Sequence, residues 1–450
     1  MRSYQVDMCN GPILKKLIVF ALPLILSGCL QLLFNAADII VVGRFTGNQA
    51  LAAVGSTSAL INLLVNMFIG ISVGANVVLG KSIGARDEEN TSKAVHTAIF
   101  IAVFGGFLMV FVGFFFAKPL LELMATPIDV IDLSSLYMRI YFAGMPFFMV
   151  YNFGAAILRS IGDTKRPLYF LMVSGIINVL FNLCFVIVFH MGVAGAAIST
   201  LVSRIFCAVV VLIQLRKDRQ PIVVRDYLKI RPDWAMIRRI LGIGIPSGVE
   251  NSMFQLGKLA IQSTVSTLGT TAIAAQAMTN ILENLNGMAA IGIGVGLMTI
   301  VGQCMGADRK DEAVYYIKKL SVIAEVAIIV SCLLVFALTG PVTVLGGMEP
   351  ASAKMCFHMV IWITIVKPIV WTLAFVPAYG LRAAGDVKFS MAASCITMWL
   401  CRFCLCVILI RFLKFGTMGV WIGMFADWTV RAVIFTWRFH SRRWLRYKVI

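Results

Sequence analysis

The sequence predicts an all-α integral membrane protein, with twelve transmembrane helices in two six-helix lobes related by a pseudo-twofold axis. Three observations carry this. The 450-residue chain is 60% hydrophobic, with a mean hydropathy of +0.91 and only 13% charged residues. That is more apolar side chain than a water-soluble protein can cover with so little polar surface. Apolar stretches long enough to cross a ~30 Å hydrocarbon core recur along its whole length, and the second half repeats the first.

The spans are expected at 13–40, 48–78, 94–117, 134–158, 167–190, 193–215, 238–266, 271–301, 316–339, 356–381, 389–412 and 417–437. The first carries Lys15 and Lys16 at its start and lacks a small-residue cleavage site. With eleven spans after it, it reads as a retained helix rather than a signal peptide. A net charge of +18 would suggest nucleic acid in a soluble protein, but here the distribution decides. One side of the membrane receives 28 of the 39 basic residues, from Arg2 at the N-terminus to Lys448 at the other end, with eight between Arg216 and Arg239. The opposite side receives Arg44, Lys118, Lys354, Arg411 and Lys414. The positive-inside rule then puts both termini in the cytoplasm of a multi-pass inner (plasma) membrane protein, whose partner is the lipid bilayer and not nucleic acid.

Eleven cysteines lie mostly inside spans and make no disulfide framework. Cys401 and Cys404 have CxxC spacing, but within a helix and without His partners, so packing is the better reading than metal.

The repeat sits at one register. Pro23 pairs with Pro246, Ala50-Leu51-Ala52-Ala53 with Ala272-Ile273-Ala274-Ala275, Gly80 and Gly84 with Gly302 and Gly306, Pro146 with Pro368, and Gly162-Asp163 with Gly385-Asp386. Each unit has an even number of spans, so both insert alike and are related by an axis along the membrane normal. This places an N-terminal lobe at 1–215, a cytoplasmic linker loop at 216–235 and a C-terminal lobe at 236–450. Within the linker, Val223 to Ile237 are read as a candidate surface helix. Gly70-xxx-Gly74 and Gly292-xxx-Gly296 predict close helix packing. Pro23, Pro146, Pro246, Pro368 and Pro377 predict kinks.

Ionisable groups inside the membrane are costly and carry the functional signal. Asp38 shares a helical face with Asn35, Gln31 and Ser27. A carboxyl there must be protonated or matched by a cation, as a coupling-ion site requires; the alternative is an interfacial Asp beside Arg44. Asn178 and Asn182 lie one turn apart on the fifth span and Thr200 on the sixth. Their oxygens could join a cation site with Asp38, and the asparagines could equally bond between helices. On the seventh span Asn251, Gln255, Lys258 and Gln262 form a polar face beside Glu250, and the eighth adds Gln276, Asn280, Glu283 and Asn284. Gln31, Asn35, Glu250, Asn251, Gln255, Asn280 and Glu283 are the candidate substrate contacts, with Lys258 a possible neutraliser of either acid. Arg139, Arg204, Lys367, Arg402 and Arg431 lie in or near spans, and several of them are expected to snorkel to an interface. Ala75 to Ser82 fits a loosened phosphate-loop pattern but lies at the end of a membrane helix, where the strand–loop–helix mechanism fails. No catalytic constellation appears and no cofactor is expected, so the chain reads as no enzyme and its energy source as an ion gradient.

In order and doubled, several motifs carry a resemblance: Leu22-Pro23, Asn35-Ala36-Ala37-Asp38 with Val42-Gly43-Arg44, Leu51-Ala52-Ala53-Val54-Gly55, Leu158-Arg159-Ser160-Ile161-Gly162-Asp163-Thr164 and Leu381-Arg382-Ala383-Ala384-Gly385-Asp386. The chain resembles the multidrug and toxic compound extrusion (MATE) family, prokaryotic type. The resemblance implies export of small cationic or amphipathic organic compounds by proton- or sodium-coupled antiport, by a monomer. It also implies an ion site at Asp38, Asn178, Asn182 and Thr200, with Na+ at Asp38 the one metal ion to consider. Asn182 stands where the family pattern has a second acid, which leaves H+ and Na+ both open. The alternative is a flippase for a lipid-linked sugar or polysaccharide precursor, a class that often has fourteen spans and a strongly cationic cavity.

Overall fold

The computed structural model describes residues 11–218 and 221–448; Arg2 and Arg219, counted above, lie outside them. The described residues contain helices and no strands. In chain order they are α1 (Ile13–Phe45), α2 (Asn48–Gly84), α3 (Glu88–Leu123), α4 (Ile128–Ala143), α5 (Met145–Ser160), α6 (Lys165–Leu183), α7 (Val193–Lys217), α8 (Trp234–Val265), α9 (Thr270–Gly306), α10 (Lys310–Leu345), α11 (Pro350–Ala384), α12 (Val387–Thr397), α13 (Leu405–Arg411) and α14 (Met418–His440). Short π-helical stretches continue α6 through Cys184–Val188 and join α12 to α13 through Met398–Cys404. Ten helical segments are long and apolar enough to cross a bilayer, and α4 with α5 forms an eleventh, bent by 45°. The twelfth is α8, whose 32 residues reach ~48 Å at helical rise. It is the most polar of the set because it carries Arg238, Arg239, Glu250, Asn251, Gln255 and Lys258.

Of the five expected kinks, only the one at Pro146 breaks a helix. Pro146 has no N–H for the Phe142 carbonyl, and Gly144, a poor helix former, sits just before it as the cap of both α4 and α5. The repeat mate Pro368 has Val366 in place of that glycine and stays inside continuous α11. Pro23, Pro246 and Pro377 are likewise inside continuous helices. The surface helix expected at 223–237 does not form. Asp226 caps a short 3-10 turn at Tyr227–Lys229, accepting from the Leu228 N–H at 3.0 Å, and helix resumes only at Trp234 beyond Pro232. The linker is strapped to α7 instead, with Tyr227 Oη donating to the Leu212 carbonyl at 2.5 Å and Val224 N–H to the Leu215 carbonyl at 3.2 Å.

The duplication extends to the punctuation of the backbone. Positive φ recurs at Gly47 and Gly269, Arg86 and Asp308, Ala125 and Gly347, and Gly162 and Gly385. Each pair ends or begins equivalent helices, so the turns repeat as well as the spans.

The chain divides into two compact units: Leu26–Gly248, and Gly11–Ile25 with Val249–Ile450. Both cuts fall inside helices, two residues after Pro23 in α1 and two after Pro246 in α8. In the first unit, Gly70 and Gly74 of α2 meet the backbone of Ile240, Gly244 and Gly248, so tightly that a Cβ at either position would overlap it. In the second, Gly292 and Gly296 of α9 meet Leu17, Phe20, Ala21 and Ile25 of α1. The repeated small-residue motif therefore seats the opening of α8 in one unit and the opening of α1 in the other. The first unit's apolar core is built on Leu60, Ile61, Met109, Met138, Phe142 and Met145. Rows such as Phe104, Phe107, Phe111, Phe114 and Phe115 of α3 remain exposed, as a lipid-facing surface should.

Candidate functional site

In the first unit, Gly175 of α6 leaves room for the Phe34 ring of α1, which would overlap any Cβ placed there. That docking sets the next turn of α1 against the next turn of α6. Asp38, half-buried, accepts hydrogen bonds from Asn178 Nδ2 at 3.2 Å on Oδ2 and from Asn182 Nδ2 at 2.8 Å on Oδ1. No basic side chain among the described residues forms an ion pair with it. The carbonyl oxygens of both asparagines are buried and accept nothing. The cluster thus offers one carboxylate and two neutral oxygens without a donor, the hard-oxygen set that a proton or small cation exchanges on.

Thr200 is not joined to this cluster by a hydrogen bond, since its hydroxyl donates to the Ala196 carbonyl of its own helix at 3.2 Å. Arg204, the nearby cation of α7, is held by aromatic groups: it donates to Tyr141 Oη at 2.5 Å and lies over the Tyr141 and Phe148 rings at 4.1 and 4.6 Å. Gln31 and Asn35 are exposed on α1, two turns and one turn before Asp38.

The second unit is different in kind, because Glu250, Glu283 and Asp427 are already paired. Glu250, buried on α8, accepts from Ser394 at 2.7 Å, Ser390 at 3.4 Å and Arg382 Nη2 at 3.3 Å. Glu283 Oε1 on α9 accepts from Lys367 Nζ at 2.6 Å, and the same ammonium reaches the Glu283 carbonyl at 3.0 Å and the Asn286 side-chain oxygen. Lys258 forms an ion pair with neither acid; it lies exposed on α8 near Glu283. Asp427 of α14 binds Arg402 at 2.7 Å and Arg431 at 2.8 Å, and Arg431 also donates to the Ser394 carbonyl at 3.0 Å. Lys367, Arg402 and Arg431 are 0%, 4% and 1% exposed, so they do not snorkel. Pairing makes their burial tolerable.

Asn280 accepts from Gln276 Nε2 at 3.3 Å, while Gln276 Oε1 takes the Trp421 indole N–H at 3.1 Å. Asn251 and Gln255 are half-buried on α8. Cys401 and Cys404 sit in the π-helical turn with Arg402 between them, and the described residues contain no cluster of three metal-ligating side chains. Asp427 escapes the sequence reading although its spacing to Arg431 is the i, i+4 pattern of a helical ion pair.

Comparison with known proteins agrees with this architecture. The MatE family model matches residues 23–184 and again 246–408, one match per half. Two Bacillus subtilis (strain 168) proteins are similar over nearly their full lengths. One, named probable multidrug resistance protein YoeA, is 29% identical over 430 residues, 93% of this chain and 92% of its own. The other, named probable multidrug resistance protein YpnP, is 28% identical over 426 residues, 94% of each. A solved structure described as the outward-facing conformation of a multidrug resistance MATE family transporter of the MOP superfamily superposes with a TM-score of 0.88. It does so at 20% identity over 98% of both chains, which establishes the shared fold.

Proposed function

Since the chain belongs to the MatE family, whose members are transporters and not enzymes, we propose that it exports small amphipathic organic compounds by antiport, with Asp38 as the ion-coupling group. The observation that carries this is the Asp38 carboxylate, held by two asparagine amides with no basic partner among the described residues. A structural carboxylate at that depth would be paired with a cation, as Glu250, Glu283 and Asp427 are. Asp38 is left for a mobile one.

The amide N–H groups of Asn178 and Asn182 stabilise the charged carboxylate. A bound proton turns one carboxylate oxygen into a donor, so the amide on that oxygen must turn to offer its own oxygen while the other keeps donating. A bound sodium ion instead uses the carboxylate with the two unpartnered amide oxygens. In either case the change is delivered to the part of α1 docked through Phe34 on Gly175. Both termini lie in the cytoplasm in this reading. Because Glu250 and Glu283 are neutralised within their own unit, substrate contact there falls to Asn251, Gln255 and Asn280, neutral groups suited to loosely selective binding. Twelve spans rather than fourteen support efflux over lipid-linked sugar flipping.

The test is export of a fluorescent organic cation from proteoliposomes, driven separately by a proton gradient and a sodium gradient. Uphill export with one gradient identifies the ion. No gradient-driven flux of several chemically different compounds would remove the proposal.

A further inference from the structure

A cavity of about 590 Å³ lies within the second unit, between α10, α11 and α14. Its walls include Ile317, Val322, Ile369, Leu373 and Pro377. Val322, Ile369 and Leu373 are 65%, 68% and 45% exposed, so the rim of the cavity is apolar. Lys318 and His440 mark one end. Two helical turns deeper, ~10 Å by helical rise, and near the middle of α10, is Glu325.

Glu325 has no ion pair among the described residues, unlike the other three acids of this unit inside spans. Two hydroxyls accompany it. Thr372 neighbours its carboxylate without the geometry of a full hydrogen bond, and Ser321 lies one turn earlier on α10. Both hydroxyl oxygens are buried and unpartnered, and Thr372 as a whole is 2% exposed. Polar groups buried in this way cost free energy until something satisfies them. Nor are they inherited from the duplication. At the register that relates Pro146 to Pro368, the counterparts of Ser321, Glu325 and Thr372 are Ile99, Val103 and Val150. The second half alone carries the polar trio on the shared scaffold.

We propose that this cavity is a ligand site, separate from Asp38, for an amphipathic primary ammonium compound. The carboxylate and two hydroxyls supply three acceptors for the three N–H donors of the ammonium, and the apolar walls take the hydrocarbon chain. A volume of this size suits a drug-sized molecule. Binding here does not depend on the coupling role of Asp38.

The test uses the full chain in phosphatidylcholine nanodiscs, with dodecylamine and its uncharged counterpart dodecanol as probes and empty discs as the background. Glu325→Gln is expected to weaken dodecylamine binding at least tenfold and dodecanol binding less than twofold. Unchanged dodecylamine affinity in Glu325→Gln, or parallel loss of both probes, would overturn the site. A second measurement needs no variant: a diazirine-bearing dodecylamine photolabels the wild-type protein. Adducts are expected within 317–325 and 368–377, and adducts found only elsewhere refute the assignment.

Discussion

Replacing Lys367 with methionine tests the claim that the second unit is held by buried ion pairs. The Lys367 ammonium has three donors, and all three are used, on Glu283 Oε1 at 2.6 Å, the Glu283 carbonyl at 3.0 Å and Asn286 Oδ1. Its charge also faces the Trp371 and Trp428 rings at 5.1 and 5.8 Å. Methionine keeps the apolar stem to Cε and removes every donor. Stripping one partner from a buried pair costs about 3–5 kcal/mol. Two neutral acceptors are orphaned as well, at about 1–3 kcal/mol each if nothing relaxes. Lys258 lies near enough to return part of the loss at Glu283, so a total of about 5 kcal/mol or more is expected for Lys367→Met.

Glu283→Gln is a milder change, because glutamine still offers an oxygen and the ammonium keeps its other two acceptors and both rings. The loss should be about 2 kcal/mol, the difference between a charged and a neutral acceptor. The double variant should be more stable than Lys367→Met alone by about 2 kcal/mol, since it no longer strands a carboxylate. Titration with sodium dodecyl sulfate in mixed micelles, read by tryptophan fluorescence, measures all three. If Glu283→Gln is as damaging as Lys367→Met, or the double variant is no better than the lysine variant, the reasoning about the ammonium as the central donor is wrong.

Two further outcomes follow from the first unit. Gly175→Ala places a Cβ on the Phe34 ring; such overpacking costs about 1–3 kcal/mol, and because Asp38 is one turn away, gradient-driven export should fall further than the amount of folded protein does. Asp87 caps α3, accepting from the Asn90 N–H at 3.0 Å, and that bond holds its carboxyl below the usual value. Its contribution is therefore complete above the unfolded value near pH 4 and is lost as pH falls through the lower folded value. Asp87→Ala should cost about 1 kcal/mol at neutral pH, and the gap to wild type should narrow in acid, whereas Asp87→Asn, also a good cap, stays within a few tenths; detergent-phase melting at several pH values checks both.

The spans were legible because a hydrocarbon core imposes one length and one composition on each of them; the structure moves the expected ends by a few residues, outward at most of them. The break before Pro146 was less so, since proline alone does not decide it and Gly144 does. The linker misleads because its apolar run, Ile222 to Val224, is buried against the protein rather than laid along a helix face. At the site, Asp38, Asn178 and Asn182 could be read from helical spacing, which reports which side chains share a face. It does not report partners across helices. Lys367 is 84 positions from Glu283, and Arg382 is 132 from Glu250, so nothing local predicts that these acids are already neutralised. Glu325 was passed over for a related reason: its neighbour Thr372 comes from another helix.

The central claim is that Asp38 couples ion movement to export rather than merely binding substrate or stabilising the fold. The measurement that tests it most directly compares wild type and Asp38→Asn in two proteoliposome assays, gradient-driven uphill export and gradient-free exchange of labelled for unlabelled substrate. The account predicts that the variant keeps exchange and loses uphill export. Uphill export at the wild-type level in Asp38→Asn would contradict it.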